Sequence, residues 1–227
     1  MNFLLIHRLG WKRPSSDDVI PKYQLKKILP SNPRIIDCGA HVGADSIELA
    51  RLFPASKVYS FEPVPDLYKA LLHNTRKFKN INTYQLALSS KNGTAKMFIS
   101  SGDSDASSSL NRPADHLADH PGVQFNQELE VKTVSLDGWA RDNGIDSIDF
   151  LWLDMQGHEL EMLKSSTEIL PRVQVIHTEV SVRESYAGVT TYQAYRDWLK
   201  NAGFVLYKEA VPADYDMGNA LFVRKQS

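Results

Sequence analysis

The segment RIIDCGAHVGAD, residues 34–45, constrains the fold more than any other part of the chain. Its apolar start stops at Asp37, two glycines follow at positions 39 and 43, and apolar residues of 44–53 then recur at helical spacing. This order predicts a strand, a glycine turn and a helix. Gly39 and Gly43 allow the turn to approach a ligand where a Cβ atom would collide.

The strand-then-helix order recurs along the chain. Short apolar runs end near an acid at 57–62, 148–154 and 173–179, and a helical spacing of apolar residues follows each of them, after the third run at 192–202. Two further apolar runs, at 204–209 and 218–225, predict a terminal strand pair. We therefore expect an α/β fold with a mostly parallel sheet and helices on both faces.

Two segments interrupt this alternation. Strands in 81–89 and 91–100 are predicted to be joined by a hairpin turn at Asn92-Gly93, a pair typical of such turns. Residues 101–127 form a long polar stretch rich in serine. Loops of that length inside a compact domain are usually functional or disordered, so we predict a lid over the site.

Composition excludes several classes of function. The 227 residues carry a formal net charge of -1, so we expect neither nucleic acid nor a membrane surface as partner. Cys38 is the only cysteine, which excludes an internal disulfide and predicts a packed thiol. The apolar patch at 3–6 is too short for a secretory signal or a membrane span. We expect a cytoplasmic protein.

Four acids lie near the ends of predicted parallel strands: Asp37, Glu62, Asp154 and Glu179. Ligands of open α/β sheets bind at the carboxyl edge of the strands, so these acids should converge on one rim. Glu62 lies 19 residues after Gly43, since 62 − 43 = 19, at the offset of an acid that accepts hydrogen bonds from a ribose. The sequence therefore predicts a site for an unphosphorylated ribose.

The first turn does not have the G-x-G-x-x-G pattern of dinucleotide-binding proteins, because position 41 is histidine. Asp37 would also repel a pyrophosphate there and attract a positive group. S-adenosylmethionine carries an ammonium, a sulfonium and a ribose, and it is the cofactor that these features favour. A nicotinamide-dependent (NAD) oxidoreductase and a non-catalytic cofactor-binding scaffold remain alternatives.

Five segments in order resemble the FkbM-type methyltransferases. They are DCGAHVGADSIELA, YSFEPVPDLYKALLHN, YQLALSS, ASSSL and DFLWLDMQGHELEMLKSS, all within 33–182. The resemblance implies a Rossmann-like class I methyltransferase fold, with a seven-stranded sheet and an antiparallel hairpin at its C-terminal end. It also implies O-methylation of a hydroxyl on a carbohydrate, glycan or natural product. The corresponding domain would span 33–227, with 1–32 as an extension packed on its core.

The resemblance also assigns residues to the site. The turn after the first strand would line the methionine end of the cofactor, the acid after the second strand its ribose, and the segment after the third strand its adenine. The cofactor residues implied in this way are Asp37, Gly39, Gly43, Glu62, Pro63, Ala87 and Leu88. Asp154 would lie near the methyl group and the acceptor.

The acceptor hydroxyl must lose a proton, and positioned bases typically accelerate such reactions by ~10²- to 10⁴-fold. Asp154 is our first candidate for the base and His158 the second. The structural alternative for Asp154 is an N-cap of the following helix. No metal is expected, although a divalent ion between Asp154 and Glu179 is kept as an alternative. Many FkbM-type proteins carry an acid where this chain has Gln156.

Overall fold

A computed structural model describes residues 20–113, 122–181, 190–211 and 217–225. Seven strands form the main sheet in the order β3-β2-β1-β7-β8-β10-β9, and three form a small sheet in the order β4-β6-β5. The strands are β1 (Arg34–Cys38), β2 (Lys57–Phe61), β3 (Ile81–Tyr84), β4 (Ala87–Ser89), β5 (Gly93–Gly102), β6 (Val123–Ser135), β7 (Ile148–Leu153), β8 (Val173–Ser181), β9 (Phe204–Ala210) and β10 (Met217–Arg224).

Five α-helices connect these strands in the part of the chain that the structure describes. They are α1 (Ala44–Leu52), α2 (Pro65–Thr75), α3 (Leu136–Asp142), α4 (Glu159–Ser165) and α5 (Tyr192–Asn201). Short 3₁₀-helices span Lys22–Lys27 and Leu170–Arg172. None of the helices in these described ranges is long and apolar enough to cross a membrane.

The main sheet is buried on both faces. Neighbouring side chains of one strand enter opposite hydrophobic clusters: Ile35 packs with Leu49 of α1, whereas Ile36 packs with Leu163 of α4 and Leu199 of α5. Strands β1, β2, β3, β7 and β8 are parallel, and β10 is antiparallel to both of its neighbours. The predicted parallel sheet with its antiparallel C-terminal hairpin and flanking helices is confirmed.

The predicted hairpin at Asn92-Gly93 is wrong. β4 and β5 do not pair with each other, because β6 lies between them, parallel to β4 and antiparallel to β5. The Asn92 side chain instead accepts a hydrogen bond from the backbone N–H of Ser135, 2.8 Å away. A local turn signal was thus overridden by pairing with a strand that is 13 residues long and comes later in the chain.

The described part of the N-terminal stretch packs on the sheet. Ile20, Leu25 and Leu29 are buried in the same cluster as Ile35, and Lys22 forms ion pairs with two acids of α1. Residues 1–19 lie outside the described residues, and the division at residue 33 stays a prediction. The long polar stretch is shorter than expected, since β5 extends to Gly102 and β6 begins at Val123; residues 114–121 also lie outside the described ranges.

Candidate active site

The four predicted acids lie near the carboxyl ends of four adjacent strands. β2, β1, β7 and β8 are neighbours in the main sheet. Glu62 and Asp154 directly follow β2 and β7, whereas Asp37 and Glu179 lie near the ends of β1 and β8. The chain passes from β1 to β2 on one side and later returns to β7 on the other, so the strand order reverses between β1 and β7. A crevice forms at such a reversal, which makes this rim the expected ligand site.

Gly39 touches the backbone of Asp154 at this reversal. The Asp154 N–H donates to the Cys38 carbonyl at 3.0 Å, and an added Cβ on Gly39 would lie 1.9 Å from the Asp154 carbonyl oxygen. Gly39 also has φ +83°, in the left-handed region that favours glycine. The glycine therefore allows the ends of β1 and β7 to meet.

A cleft of about 650 Å³, including space open to solvent, lies over this contact. Its size falls within the range of ~300–1,000 Å³ that is usual for small-molecule sites. Seven of the predicted site residues line it: Gly39, Glu62, Pro63, Ala87, Leu88, Asp154 and His158. Much of the remaining wall is apolar, with Phe61, Leu67, Leu86, Met97 and Leu110. A mostly apolar cleft with a few acids suits a ligand that combines an aromatic ring with hydroxyl groups.

Glu62 is fixed by two backbone donors. The N–H of His41 donates to Oε2 at 2.9 Å, and the N–H of Val64 donates to Oε1 at 2.8 Å. Burial nevertheless raises the pKa of Glu62 to about 7, with the charges of Asp105 and Asp154 adding to the effect. The carboxyl group is thus positioned before any ligand arrives, and its charge changes near neutral pH.

Asp154 is the accessible acid of the rim. Its side chain is exposed in the cleft, and Oδ1 accepts a hydrogen bond of 2.7 Å from the Gln156 amide. Protein atoms of the cleft wall surround the carboxylate, although the residue remains exposed to solvent. This partial desolvation raises the pKa of Asp154 to about 6, against the lowering effect of the Gln156 hydrogen bond.

The turn between β7 and α4 is held from two sides. Glu159 accepts hydrogen bonds from the N–H groups of Met155 and Gly157, at 2.7 and 3.3 Å. Ser109 donates to the Gln156 carbonyl at 2.7 Å, and the Asn111 amide donates to the Gly157 carbonyl at 2.9 Å. The segment after β5 is therefore a wall of the site that fixes the turn carrying Asp154.

A family model described as "Methyltransferase FkbM domain" matches residues 37–206. The chain belongs to the FkbM methyltransferase family. It is 30% identical to the 2-O-methyltransferase NoeI of Sinorhizobium fredii (strain NBRC 101917 / NGR234) over 195 residues, which cover 84% of this chain and 80% of NoeI. The resemblance inferred from the sequence is confirmed.

Solved structures agree on the fold. The methyltransferase FkbM from Methylobacillus flagellatus KT superposes with a TM-score of 0.56 at 14% identity, over 93% of this chain and 48% of that one. The magnesium protoporphyrin IX methyltransferase ChlM from Synechocystis PCC 6803, crystallised with bound SAM, gives 0.52 at 13% identity, over 89% and 74%. As a member of the FkbM family the protein is a methyltransferase, which decides against the nicotinamide-dependent alternative.

Two predicted cofactor residues of this FkbM methyltransferase do not line the cleft. Asp37 is fully buried beneath the glycine turn, where the Ser46 hydroxyl donates to its Oδ2, and its Oδ1 has no hydrogen-bond partner among the described residues. Burial raises the pKa of Asp37 to about 7. Gly43 begins α1, and a Cβ there would meet the side chain of Leu71 of α2 at 2.7 Å. Asp37 and Gly43 therefore support the glycine turn without lining the cleft.

His158 is less available than Asp154. Its Nε2 lies 2.9 Å from the Ser89 hydroxyl and its Nδ1 lies 3.2 Å from Oδ1 of Asn111, so both ring nitrogens are engaged. Burial lowers the pKa of His158, which favours the neutral ring. The imidazole would have to give up a hydrogen bond before it could accept a proton. His158 is also the N-cap of α4, so the expectation that Asp154 might serve only as a helix cap is wrong.

Sequence reasoning missed three contributors to the site. His41, at φ +49°, donates its backbone N–H to Glu62, and its ring lies 3.2 Å from Asp105 on the segment after β5. Ser109 belongs to the ASSSL motif, for which the sequence indicated no role beyond the family resemblance. Asn111 had no sequence signal, because its role depends on a partner 46 residues away.

The described residues show no preformed set of ligands for the divalent ion that was kept as an alternative between Asp154 and Glu179. They contain no group of three or more histidine, cysteine or acidic side chains placed to hold an ion. Glu179 lies beside Asp154, but the Gln156 amide is between them. His177 is buried and stacked on Trp152, with ring centroids 3.8 Å apart, and burial lowers its pKa to about 3, as expected for a packed histidine. Cys38 is likewise a buried free thiol.

Proposed function

We propose that the protein transfers the methyl group of S-adenosylmethionine to a hydroxyl of a carbohydrate, glycan or related natural product. The observation that carries the proposal is the Asp154 carboxylate, accessible in the cleft and adjacent to the Gly39 turn. The name of NoeI gives an oxygen as the acceptor atom of that relative. A hydroxyl acceptor is consistent with a carboxylate that is exposed in the cleft.

The residues of the cleft fit this cofactor. Glu62 holds one lone pair on each oxygen in a backbone hydrogen bond and keeps others for the two hydroxyls of a ribose. Pro63, Ala87 and Leu88 line the same cleft and would border the adenosine, and the backbone at Gly39 would approach the methionine end. When bound, S-adenosylmethionine supplies a methyl group made electrophilic by a positively charged sulfur. Asp37 would act indirectly, by fixing the turn.

Asp154 would orient the acceptor hydroxyl and accept its proton. The pKa of Asp154, raised to about 6, leaves it mostly ionised at neutral pH and still basic enough for the task. His158, with both nitrogens engaged, would support the turn through Ser89 and Asn111. Orientation of the two reactants can contribute ~7–11 kcal/mol to the acceleration, so the base need supply only part of it.

Two measurements test the proposal. Calorimetry with S-adenosylmethionine and S-adenosylhomocysteine should show binding of both, and absence of binding by folded protein would overturn the cofactor assignment. Mass spectrometry with isotopically labelled cofactor and a panel of oligosaccharides should detect a labelled methyl ether, beginning with acceptors that present a free sugar 2-hydroxyl. Cofactor binding without transfer to any member of a broad panel would favour the non-catalytic scaffold.

We further propose a domain boundary, a closing segment and a cellular location for the protein. The domain is proposed to begin near residue 33, after an extension that packs on its core. The stretch 101–127 is proposed to close over bound ligands, with 107–111 as its fixed part. Protease sensitivity of this stretch that is unchanged by cofactor and acceptor together would contradict closure. A cytoplasmic location is proposed from the sequence alone.

A further inference from the structure

Gln156 has an unusual place in the turn after β7. Its backbone adopts φ +52°, a conformation that residues other than glycine rarely occupy and that costs roughly 1–2 kcal/mol. The hydrogen bond from Ser109 to its carbonyl holds it there. The side chain is buried, with 9% exposure. A strained backbone that the surrounding structure maintains suggests that the side chain has a specific task.

The Gln156 amide joins two carboxylates. Its Nε2 lies 2.7 Å from Oδ1 of Asp154 and 3.1 Å from Oε2 of Glu179. β7 and β8 are parallel with Leu153 opposite Thr178, so the two acids that follow these residues lie side by side. A carboxamide has two N–H groups. One N–H is available for each carboxylate.

Two adjacent carboxylates in a desolvated site repel each other. Proteins usually relieve such repulsion with a cation or by keeping one acid protonated. The amide offers a third solution, because it supplies two donors and no charge. Burial raises the pKa of both Asp154 and Glu179, and the charges of Asp154 and Glu159 raise that of Glu179 further. The hydrogen bonds from Gln156 lower the pKa of both acids.

We propose that Gln156 is a positioning residue, whose amide fills the place between Asp154 and Glu179 that a cation would otherwise take and holds Asp154 ionised in the cleft. The part of this statement that concerns catalysis rests on the proposed function, in which Asp154 is the base. The part that concerns the two carboxylates does not. Methyl transfer by the wild-type protein is then expected to be unaffected by chelators.

The test compares two substitutions at position 156, which share the same backbone conformation, with a charge control elsewhere in the chain. Gln156→Glu has the same size but replaces both donors by a third carboxylate, and Gln156→Met removes the donors without adding charge. Gln127→Glu adds the same charge at an exposed position of β6 and serves as the control. Because the first variant brings three acids together, it should lose the most stability as the pH rises; Gln156→Met, which leaves two acids without their shared donor, should lose less, and Gln127→Glu should show no such loss.

The first readout is thermal unfolding between pH 5.5 and 8.5, which needs no enzymatic activity. A third carboxylate has its pKa raised in the folded protein, so its penalty is small at low pH and grows as the pH rises through the folded pKa. The melting temperature of Gln156→Glu, relative to Gln127→Glu, should fall by about 3 to 5 °C or more over this range, the shift that a tenfold loss in the folding equilibrium produces in a chain of this size. A difference that is independent of pH would overturn the proposal.

The second readout is binding of Mn²⁺ at pH 8 by calorimetry or electron paramagnetic resonance. Three carboxylates supply the oxygen ligands that such ions prefer, so Gln156→Glu should bind Mn²⁺ and regain the lost stability. The wild-type protein and Gln156→Met should bind it at least tenfold more weakly. Equal binding by the wild type, or none by the variant, would overturn the claim that the amide fills the place of a cation.

The third readout is the pH profile of methyl transfer. Loss of the Gln156 donors raises the pKa of Asp154, so the acid limb of kcat should move to higher pH in Gln156→Met, with activity recovered at alkaline pH. An unchanged acid limb would overturn the positioning role. If the wild type transfers no methyl group at all, the proposed function fails, and the stability and Mn²⁺ measurements still decide the role of Gln156.

Discussion

Replacing Gly39 by alanine tests the contact on which the site is built. The new Cβ would lie 1.9 Å from the carbonyl oxygen of Asp154 and 3.0 Å from its carbonyl carbon. Close carbon–oxygen contacts are about 3.3 Å, so the ends of β1 and β7 would have to separate by more than an ångström, about 1.4 Å. The neighbouring hydrogen bond from the Asp154 N–H to the Cys38 carbonyl would lengthen with them.

Two effects determine the size of the loss in stability. An alanine at φ +83° incurs roughly 1–2 kcal/mol of backbone strain, and forced separation of a packed contact typically costs about 1–3 kcal/mol more. We therefore expect the free energy of unfolding to fall by about 2–5 kcal/mol. A chain of this size has roughly 5–15 kcal/mol of stability, so the variant should fold but be weakened.

Gly144→Ala is the matched control. Gly144 also has a positive φ, +64°, but no atom lies within 4 Å of its added Cβ, and it does not line the cleft. This variant should incur the backbone strain alone, about 1–2 kcal/mol. The difference between the two variants in urea unfolding then isolates the contact with Asp154.

The contact should matter more to binding than to stability. In Gly39→Ala the displaced backbone lies in the cleft itself, so affinity for S-adenosylmethionine should fall at least tenfold in calorimetry, whereas Gly144→Ala should bind as the wild type does. Equal unfolding free energies for the two alanine variants, or unchanged cofactor affinity in Gly39→Ala, would refute the argument that the glycine shapes the site.

Three other changes probe the remaining parts of the site. Cofactor affinity should weaken about tenfold for each pH unit below about 7. The ribose hydroxyls donate to the ionised Glu62, and the pKa of Glu62 is raised to about 7. A cofactor affinity that calorimetry finds constant from pH 5.5 to 8 would contradict this role of Glu62. Asp154→Asn should lower kcat by ~10²- to 10⁴-fold and leave cofactor affinity within a few-fold, and full activity would show that another group is the base. Asn111→Ala removes the donor to the Gly157 carbonyl and should lower the free energy of unfolding by about 1–2 kcal/mol, with a loss of kcat. Asn126→Ala, at an exposed position of β6, should change neither quantity. Equal effects of the two variants would argue against a fixed turn.

The main sheet could be predicted because its signals are local and repeated. Four of the five parallel strands, β1, β2, β7 and β8, are apolar runs with an acid at or near their ends, and Ile35 and Ile36 already indicate burial on both faces. The small sheet could not be predicted in the same way. Asn92-Gly93 is a strong local turn signal, but β6 pairs with both β4 and β5, and its partners are between 21 and 46 residues away in the chain. Pairing over that distance leaves no periodic trace in the sequence.

The positions of the four acids could be predicted, but their surroundings could not. Strand ends place all four on one rim, as expected from the parallel sheet. Whether an acid faces the cleft depends on single contacts: Asp37 is covered by the glycine turn and Ser46, whereas Glu62 is held by two backbone amides. Contacts of this kind join residues from different elements, so neither spacing nor residue type reveals them.

The surroundings of the acids also decide which of them can act as the base. Asp37 is sealed from the cleft, and the oxygens of Glu62 point to backbone donors that need its charge in place. Glu179 lines a separate, smaller cavity, and the Gln156 amide links its carboxylate to Asp154. Asp154 is the most exposed of the four and lines the main cleft, where the hydrogen bond from Gln156 favours its ionised form. A base must gain and lose a proton at each turnover, and of these four carboxylates Asp154 is the one whose exposure in the main cleft allows that exchange.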